Sequence, residues 1–428
     1  MGTERNKDKH GKGMSRREFI KVAGIATAGI VASSVAKSPV YAVAPGRVIG
    51  ANDRIGIGLI GVGAQGGAHL RTIMRTTEEA NVSLVAVSDV WDRRLQGAKE
   101  TAELPDAKAY KDFRNLIEDK DVDAVIIATP EHWHSRMAVM AMENGQHCYI
   151  EKPMTRHLDE AFDIMNGCNR YNKVVQVGSQ GTSHVKWARA QQLVREGALG
   201  QLVWTQGSYC RNSKGGEWNY RIDAALDESN CDWKAWLGPL PERPFSPDIF
   251  FRWRKYSDFS AGILSDLLPH VMHALVRVIG PEYPVRVACV GTNKVHPDRD
   301  VADNTQMIVE FPSGHTMVIV GATSNEQGLP DVVRGHKATM YLSGNRIEIR
   351  PERPYAEEIE PQDVDVSGGP AGGLADHLGN FYNAIRGVEE PTCCIDLAAK
   401  VQTIVCLAEM SWQQNKMMNF DPDTLKVI

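Results

Sequence analysis

Short apolar runs alternate with helix-compatible stretches through the first half of the chain. The runs are rich in β-branched residues and fall at residues 55–60, 82–87, 121–128, 146–150 and 173–177. Short apolar runs of this kind are typical of buried strands, and the intervening stretches, such as residues 137–144, have helical character. Because strands alternate with helices, the pattern predicts an α/β domain with a doubly wound, mostly parallel sheet.

The second half follows a different pattern. Extended runs with alternating polarity occupy residues 201–209, 285–292, 305–311, 316–321, 338–343 and 345–349. Turn residues such as Pro312-Ser313-Gly314 separate them, and helical periodicity returns in residues 374–414 after a glycine-rich linker at residues 368–373. The pattern predicts an α+β domain with a large, open, mostly antiparallel sheet followed by C-terminal helices.

Length and composition agree with two soluble domains. The chain has 428 residues, of which 43% are hydrophobic and 24% charged, as is usual for globular proteins with a sizeable core. We place the first domain at residues 45–175 and the second at residues 176–428. The net charge of −5 gives no reason to expect nucleic acid or an anionic membrane as a partner.

The N-terminal residues 1–44 resemble a twin-arginine signal peptide. Residues 15–21, SRREFIK, match S-R-R-x-F-x-K, and a small apolar segment and an A-x-A-like cleavage site follow them. The segment is too short to span a membrane comfortably. The motif predicts export of a folded protein to the periplasm or cell envelope, with no stable membrane span after cleavage. A retained anchor and an ordinary basic N-terminus are the alternatives.

A glycine motif directly follows the first predicted strand. Gly61, Gly63 and Gly66 form G-x-G-x-x-G, and the Rossmann fold uses these positions for a tight turn, a close approach of pyrophosphate and close helix packing. The helix N-terminus after such a loop presents free N–H groups to phosphates. The motif therefore predicts a dinucleotide site that includes Ala64 and Gln65.

Asp89 ends the second predicted strand, at the distance from the glycines that a ribose-binding acid has in Rossmann folds. A carboxylate here favours NAD over NADP, because it repels a 2′-phosphate. Arg93 and Arg94 come just after it and leave NADP open. We interpret these two arginines as a solvated helix start.

Two polar clusters follow later strands of the predicted parallel sheet. They are the Thr129-Pro130-Glu131-His132-Trp133-His134 run and Glu151-Lys152-Pro153. Ligands of doubly wound sheets bind at the carboxyl ends of the strands, so we expect Thr129, Pro130, His134, Glu151 and Lys152 at the cofactor site. Loop histidines are also often only hydrogen-bonded surface residues.

The cysteines and histidines show no metal-ligand spacing and no C-x-x-C pair. We therefore predict no metal site. A protein that folds before export has little need of disulfides, so we interpret most of the eight cysteines as buried small hydrophobic residues.

The glycine motif with Asp89, then TPEHWHS and EKP, resembles the Gfo/Idh/MocA family of oxidoreductases. WLGP at residues 236–239, FRWR at 251–254, SDLLPH at 265–270 and HLGNF at 377–381 resemble its exported bacterial branch. The resemblance runs from about residue 52 to the C-terminus. It implies NAD or NADP chemistry on a sugar, and an open sheet that often forms the interface of a homo-oligomer.

The resemblance also implies a catalytic centre made of Lys152, Asp266 and His270. Oxidation of a sugar carbinol needs a base for the hydroxyl proton, and histidine suits that role. Asp266 would orient the histidine or bind a substrate hydroxyl, and Lys152 would stabilise negative charge on the reacting oxygen. The four-residue spacing predicts Asp266 and His270 on one helix face, and Pro269 predicts that a helix starts or kinks there.

Three functions remain open from the sequence. The first is an NAD(P)-dependent oxidoreductase acting on a sugar or glycoside with a tightly bound cofactor. The second is a redox-neutral glycosidase that oxidises, eliminates and reduces; the family has such an exported branch, in which E-K-P is altered, whereas Lys152 is present here. The third is a non-catalytic sugar-binding relative, which the intact Lys152, Asp266 and His270 disfavour.

Overall fold

The structure, a computed structural model, describes residue 50 and residues 53–428. The predicted twin-arginine segment lies outside the described residues. Within the described part, no helix is both long enough and apolar enough to cross a bilayer.

The first half forms a six-stranded parallel sheet, as its alternating pattern predicts. Its strand order, β3-β2-β1-β4-β5-β6, is the order of dinucleotide-binding Rossmann folds. The strands are β1 (Ile55–Ile60), β2 (Val82–Ser88), β3 (Ala109–Tyr110), β4 (Ala124–Ile127), β5 (His147–Glu151) and β6 (Val175–Gly178). Every residue of β1 and β4 is buried, because helices cover both faces of the sheet.

The helices of this half follow the strands in order. They are α1 (Ala64–Ala80), α2 (Asp92–Thr101), α3 (Phe113–Ile117), α4 (His134–Glu143), α5 (Leu158–Tyr171) and α6 (Val185–Arg195). The carboxyl ends of β1, β2, β4 and β5 therefore open on one edge of the sheet, where the glycine motif and the two polar clusters lie.

The second half contains a ten-stranded, mostly antiparallel sheet, as predicted. Its strand order is β14-β13-β12-β11-β7-β10-β9-β8-β15-β16, and the one parallel pair within it is β7 with β10. The strands are β7 (Leu202–Cys210), β8 (Arg286–Thr292), β9 (Asn304–Glu310), β10 (Thr316–Ala322), β11 (Asp331–Gly335), β12 (Ala338–Ser343), β13 (Arg346–Pro351), β14 (Gln362–Asp365), β15 (Met418–Asp421) and β16 (Lys426–Val427).

Five helices accompany this sheet. They are α7 (Trp233–Leu237), α8 (Pro247–Arg252), α9 (Pro269–Ile279), α10 (Leu374–Ile385) and α11 (Ile395–Gln414). Helix α9 packs against β7 and α11 packs against β8. The segment between β7 and α9 carries few regular elements but many aromatic residues, and these form a separate apolar cluster that includes Trp91 from the first half.

Two features cross the boundary that we placed at residue 175/176. Strand β6 extends to Gly178. Helix α10 returns to the first half, where Leu378, Phe381 and Tyr382 pack in one buried cluster with Ile57 of β1. The C-terminal segment therefore contributes to the core of the Rossmann domain.

All eight cysteines are unpaired, and five of them are buried, which agrees with their interpretation as small hydrophobic residues. The described residues contain no cluster of histidine, cysteine, aspartate or glutamate suited to a metal ion.

Candidate active site

The glycine loop has the geometry that its motif predicts. Gly61 has φ +83° and Gly63 is the N-cap of α1. A Cβ on Gly66 would lie 1.9 Å from the carbonyl oxygen of Gly61, so only glycine lets the helix pack this closely on the turn. The three atoms nearest to a Cβ on Gly63 would all belong to the Arg94 side chain, the closest at 3.2 Å. The helix N-terminus is thus open for a phosphate.

Asp89 lies directly beside this loop. Its Oδ2 accepts the N–H of Val62 at 2.9 Å, and its Oδ1 accepts the N–H of Trp91 at 2.9 Å. These bonds fix the carboxylate at the end of β2. Burial raises the pKa of Asp89, and the nearby Arg94 acts in the opposite direction.

The two arginines after Asp89 differ from each other. Arg93 is 61% exposed and pairs with Asp223, as a solvated helix residue does. The Arg94 guanidinium instead lies 5.1–5.4 Å from the ring centres of Trp91, Phe250 and Phe251. Our interpretation of Arg94 as solvated is therefore wrong: the aromatic segment of the second half folds over it, and no pattern near Arg94 signals that contact.

A cavity of about 870 Å³ opens at this edge of the sheet. Its lining includes nine of the eleven predicted cofactor residues: Gly61, Gly63, Ala64, Gln65, Asp89, Thr129, Pro130, Glu151 and Lys152. Aromatic residues of the second half also line it, among them Trp236 and Trp253. The cavity is in the size range of small-molecule and cofactor sites.

His134 has a different position from the one we predicted. It is 1% exposed and does not line the cavity. Its Nδ1 lies 2.9 Å from the carbonyl oxygen of Pro153, and its Nε2 lies 2.9 Å from that of Thr129. The ring therefore ties the loop after β4 to the loop after β5, and its effect on the cofactor site is indirect.

Glu151 holds the first turns of the helix that follows the glycine loop. Its Oε1 lies 2.9 Å from Nε2 of Gln65, 2.7 Å from Nε2 of His69 and 3.0 Å from Nε2 of Gln180. Burial alone would raise the pKa of this carboxyl, but the bond to His69 and the charges of His69 and Lys152 outweigh it and lower the pKa. The EKP motif thus joins β5 to the first turns of α1.

Lys152 reaches across to the second half. Its Nζ donates to Oδ1 of Asp266 at 2.9 Å and to the main-chain oxygen of the same residue at 2.6 Å. Arg254 donates to the same Oδ1 through Nε at 2.9 Å, and Trp218 donates to Oδ2 through Nε1 at 2.8 Å. Burial alone would raise the pKa of Asp266, but Arg254, Lys152 and Trp218 hold it well below its usual range. Asp266 is therefore a permanent carboxylate that fixes two cations.

The segment from Asp266 to His270 is not a single α-helix. Asp266 lies in a π-helical turn, Ile263–Leu267, and helix α9 begins at Pro269. The predicted start at Pro269 is confirmed, while the placement of both residues on one α-helical face is wrong, because proline has no N–H to continue the earlier turn.

His270 is the second residue of α9, and its ring stacks on Tyr209 at a centroid distance of 5.5 Å. Within the described part of the chain, the hydrogen bonds of the Asp266 side chain go to Lys152, Arg254 and Trp218. Tyr209, and not Asp266, therefore orients the histidine. Burial lowers the pKa of His270 to about 3, and the ammonium of Lys152 acts in the same direction, so the ring is neutral at physiological pH.

Glu131 connects the TPEHWH segment to the turn before Asp266. Its side chain is buried, and its Oε1 accepts the hydroxyls of Ser260 at 2.6 Å and Ser265 at 3.0 Å. Burial raises the pKa of Glu131 to about 8, so the group is mostly protonated at neutral pH. Among the described residues its Oε2 has no hydrogen-bond partner.

The sequence did not indicate which groups Arg254, Trp218 and Glu131 bind. Arg254 lies in FRWR and Glu131 lies in TPEHWH, but both motifs supported only the resemblance to the family. Trp218 has φ +64°, and no local signal indicates that it bonds a carboxylate 48 residues away.

The residues around the cavity fit a nicotinamide dinucleotide. The glycine loop leaves backbone N–H groups uncovered, and a side chain at Gly61 or Gly66 would collide with the backbone. Asp89 is held where a ribose would reach it, and Lys152 lies on the same cavity wall. The pyrophosphate would lie on the loop, the ribose at Asp89 and the nicotinamide toward Lys152.

Comparison with curated proteins finds relatives across about half of the chain. It is 29% identical over 235 residues to a glycosyl hydrolase family 109 protein of Shewanella pealeana, which is 48% of this chain and 50% of that protein. A glycosyl hydrolase family 109 protein of Shewanella baltica is 29% identical over 243 residues, 52% of this chain and 50% of the relative. The chain thus spans about half the length of these relatives.

Solved structures share the fold over most of the chain. A levoglucosan dehydrogenase in complex with NADH and levoglucosan superposes with a TM-score of 0.65 at 19% identity, covering 86% of this chain and 99% of that one. The WlbA dehydrogenase of Chromobacterium violaceum, in complex with NADH and UDP-GlcNAcA, gives a TM-score of 0.67 at 17% identity, covering 89% and 99%.

Two family models match successive parts of the chain. Residues 55–179 match the oxidoreductase family model with an NAD-binding Rossmann fold, and residues 241–349 match the GFO/IDH/MocA C-terminal domain. Together they cover more than half of the 428 residues, in the order and with the fold that the family requires. The chain therefore belongs to the Gfo/Idh/MocA family of oxidoreductases.

Proposed function

We propose that this protein is an NAD(P)-dependent oxidoreductase that oxidises or reduces a carbon–oxygen centre of a sugar or sugar derivative. One observation carries the proposal: Lys152 lies on the wall of the glycine-loop cavity and is fixed by Asp266 of the second half. A cofactor cavity that ends at a positioned ammonium group suits a reaction in which negative charge develops on oxygen. The dehydrogenase complexes among the structural neighbours support a sugar substrate.

The three polar residues have separate roles in this proposal. His270 is neutral, so it can accept the hydroxyl proton of the sugar. Lys152 donates a hydrogen bond to the reacting oxygen and stabilises its charge. Asp266 is a positioning residue, because its oxygens already hold Lys152, Arg254 and Trp218. The nicotinamide supplies the hydride acceptor when it is bound.

The test is turnover of a sugar panel followed by absorbance of NADH at about 340 nm. Lys152→Met should abolish turnover while NADH binding persists, since Asp89 and the glycine loop remain. Lys120→Met, which removes an exposed lysine outside the cavity, is the matched control and should behave as the wild type. Full turnover in Lys152→Met would refute the assigned role.

A redox-neutral glycosidase is the second candidate, and the family 109 relatives favour it. In that cycle a sugar hydroxyl would be oxidised to a ketone, the neighbouring C–H deprotonated, and the aglycone eliminated to leave an unsaturated ketone. Water would then add to this ketone and the hydride would return to it, so no NADH accumulates. Nitrophenyl glycosides separate the two candidates. Release of nitrophenol without net NADH would support the glycosidase, and formation of NADH with an oxidised sugar would support the dehydrogenase.

The twin-arginine motif supports a further part of the proposal, that the protein is exported with its cofactor already bound. The cell envelope has little free NAD, so an exported enzyme needs a captive cofactor that is reset within the site. Protein purified without added cofactor, then denatured, should release about one dinucleotide per chain, identifiable by mass as NAD or NADP. Release of none would contradict a captive cofactor.

A further inference from the structure

Arg254 presents one edge of its guanidinium to the cavity. The residue follows α8, and its Nε is held by Asp266 at 2.9 Å while its guanidinium carbon lies 4.1 Å from the ring centre of Trp253. The side chain is 24% exposed and lines the cavity. Within the part of the chain that the structure describes, its hydrogen bond to protein is made through Nε, so the two Nη groups have no protein partner there.

The orientation of Arg254 is fixed before any ligand arrives. The bond to Asp266 sets one edge of the plane, and the indole of Trp253 sets its tilt. A guanidinium held in this way loses little conformational entropy on binding, and its two terminal amino groups match the two oxygens of a carboxylate or phosphate. Lysine has no such fork.

The charges around Arg254 leave room for an anion. Asp266 is shared by two cations, Lys152 and Arg254. The other acid that acts on the charge of Arg254 is Glu131. Burial raises the pKa of Glu131 to about 8, so this group is mostly protonated at neutral pH.

The cavity as a whole is also cationic. Its lining has seven cationic side chains and four acidic ones. A dinucleotide pyrophosphate on the glycine loop, next to Arg94, would compensate part of that excess. Arg254 belongs to a separate charged cluster with Lys152 and Asp266. A pyrophosphate on the glycine loop would not neutralise the charge of that cluster.

We infer that Arg254 is a specificity-determining residue that binds an oxyanion on the substrate, so that the substrate is an acidic sugar carrying a carboxylate or a phosphate. The inference rests on the proposed function, since it deepens the assignment of the same site. The fork would hold the acidic group in two parallel hydrogen bonds and place the carbinol that reacts beside Lys152.

The test measures equilibrium binding of matched sugars to the full chain loaded with NADH. Titration calorimetry would compare D-glucose and D-galactose with their uronates and their 6-phosphates. We expect at least one acidic form to bind about tenfold more tightly than its neutral parent, as a charge-assisted pair should. The uronate and phosphate arms identify which oxyanion the fork accepts.

Two substitutions assign that preference to Arg254. Arg254→Gln should remove it, while the Kd for NADH stays within about twofold of the wild type. Arg254→Lys keeps the positive charge but not the two parallel donors of the guanidinium, so it should retain only part of the preference. If Arg254→Gln folds poorly, this lysine variant provides the same test. Arg170→Gln removes an exposed arginine of α5 that does not line the cavity and should leave the preference unchanged.

Several outcomes would overturn the inference. In the wild type, these are neutral sugars that bind as tightly as both acidic forms, or no binding of any sugar. In Arg254→Gln, they are a preference for the acidic form that survives, or an NADH affinity that falls together with that preference. Failure of the proposed function would be visible separately, as wild-type protein that neither binds NADH nor forms it with any sugar.

Discussion

The side chain of Lys152 contacts both the side chain and the main chain of Asp266. The ammonium lies 2.9 Å from Oδ1 and 2.6 Å from the carbonyl oxygen, although the two residues are 114 positions apart. The first comes from the end of β5, and the second from the π-helical turn before α9. The contact therefore fixes the position of the ammonium group relative to the segment that carries His270.

Replacement of Asp266 by asparagine tests this contact. The change leaves Lys152 and Arg254 without their shared negative charge, and both are largely buried. We expect turnover to fall by on the order of 100-fold and the free energy of unfolding to fall by about 3 kcal/mol, measured by steady-state kinetics and denaturant titration.

Asp396→Asn is the control for that experiment. Asp396 pairs with Lys400 on α11 and is 62% exposed, so loss of its charge should cost no more than about 1 kcal/mol. Equal effects of the two substitutions would contradict the positioning role of Asp266.

The glycine loop makes a second prediction, through Gly66→Ala. The new Cβ would lie 1.9 Å from the carbonyl oxygen of Gly61, so α1 must move away from β1. We expect NADH affinity to fall by at least about tenfold, because the helix N-terminus and the turn bind the pyrophosphate together. Fluorescence titration with NADH would measure it.

Gly97→Ala is the matched substitution in α2. A Cβ at this position meets no atom within 4 Å, so alanine should stabilise the helix by about 0.5–1 kcal/mol. NADH affinity should not change. If Gly66→Ala bound NADH as the wild type does, the loop would not be the pyrophosphate site.

Stability should decrease as the solution becomes acidic, because of buried histidines. Burial lowers the pKa to about 3 in His273 and to about 4 in four others, namely His132, His147, His315 and His377. The unfolded chain has histidine pKa values near 6.5, so below that pH it binds more protons than the folded chain does. This part of the stability is present above about pH 6.5 and is lost as the pH falls toward 4.

The melting temperature should therefore fall between pH 7 and pH 5. His147→Asn should weaken the dependence, since Nδ1 of His147 accepts the N–H of Val174 and an asparagine oxygen can accept it without titrating. A melting temperature that is constant or rises over this range would contradict the prediction.

Glu131 should have the opposite pH dependence. Its folded pKa is raised to about 8 by burial, so its contribution is full below the unfolded value near 4.5 and is lost as pH rises through 8. Glu131→Gln keeps an oxygen for Ser260 and Ser265 and does not ionise. Above about pH 7.5 the histidines no longer titrate in either state, so between about pH 7.5 and pH 9 we expect the melting temperature of the wild type to fall more than that of this variant.

The absolute stability of Glu131→Gln is not the criterion, because the amide nitrogen takes the place of an unpartnered oxygen. The exposed Glu118 gives the control: Glu118→Gln should retain the wild-type slope. Equal slopes in all three proteins would show that Glu131 ionises normally.

Local patterns predicted most of the elements. The runs at residues 55–60, 316–321 and 338–343 became β1, β10 and β12 with nearly the same ends, because strand polarity has a period of two and buried strands are apolar throughout. Strand β11 was missed, since DVVRG is short and a glycine and a proline closely precede it. Strand β14 was missed as well, since QDVD has little apolar character.

The sequence by itself determined the Rossmann domain, the glycine loop, Asp89 and the presence of Lys152 at a strand end, because turns, strand positions and helix starts follow from residues close in the chain. The tertiary structure decided which polar and charged side chains contact one another. Asp266 bonds to Lys152, Arg254 and Trp218 from three separate segments, Arg94 lies under Phe250 and Phe251, and His134 lies between two carbonyl groups. Such contacts depend on how separate segments of the chain come together in the fold, and no local spacing contains that information.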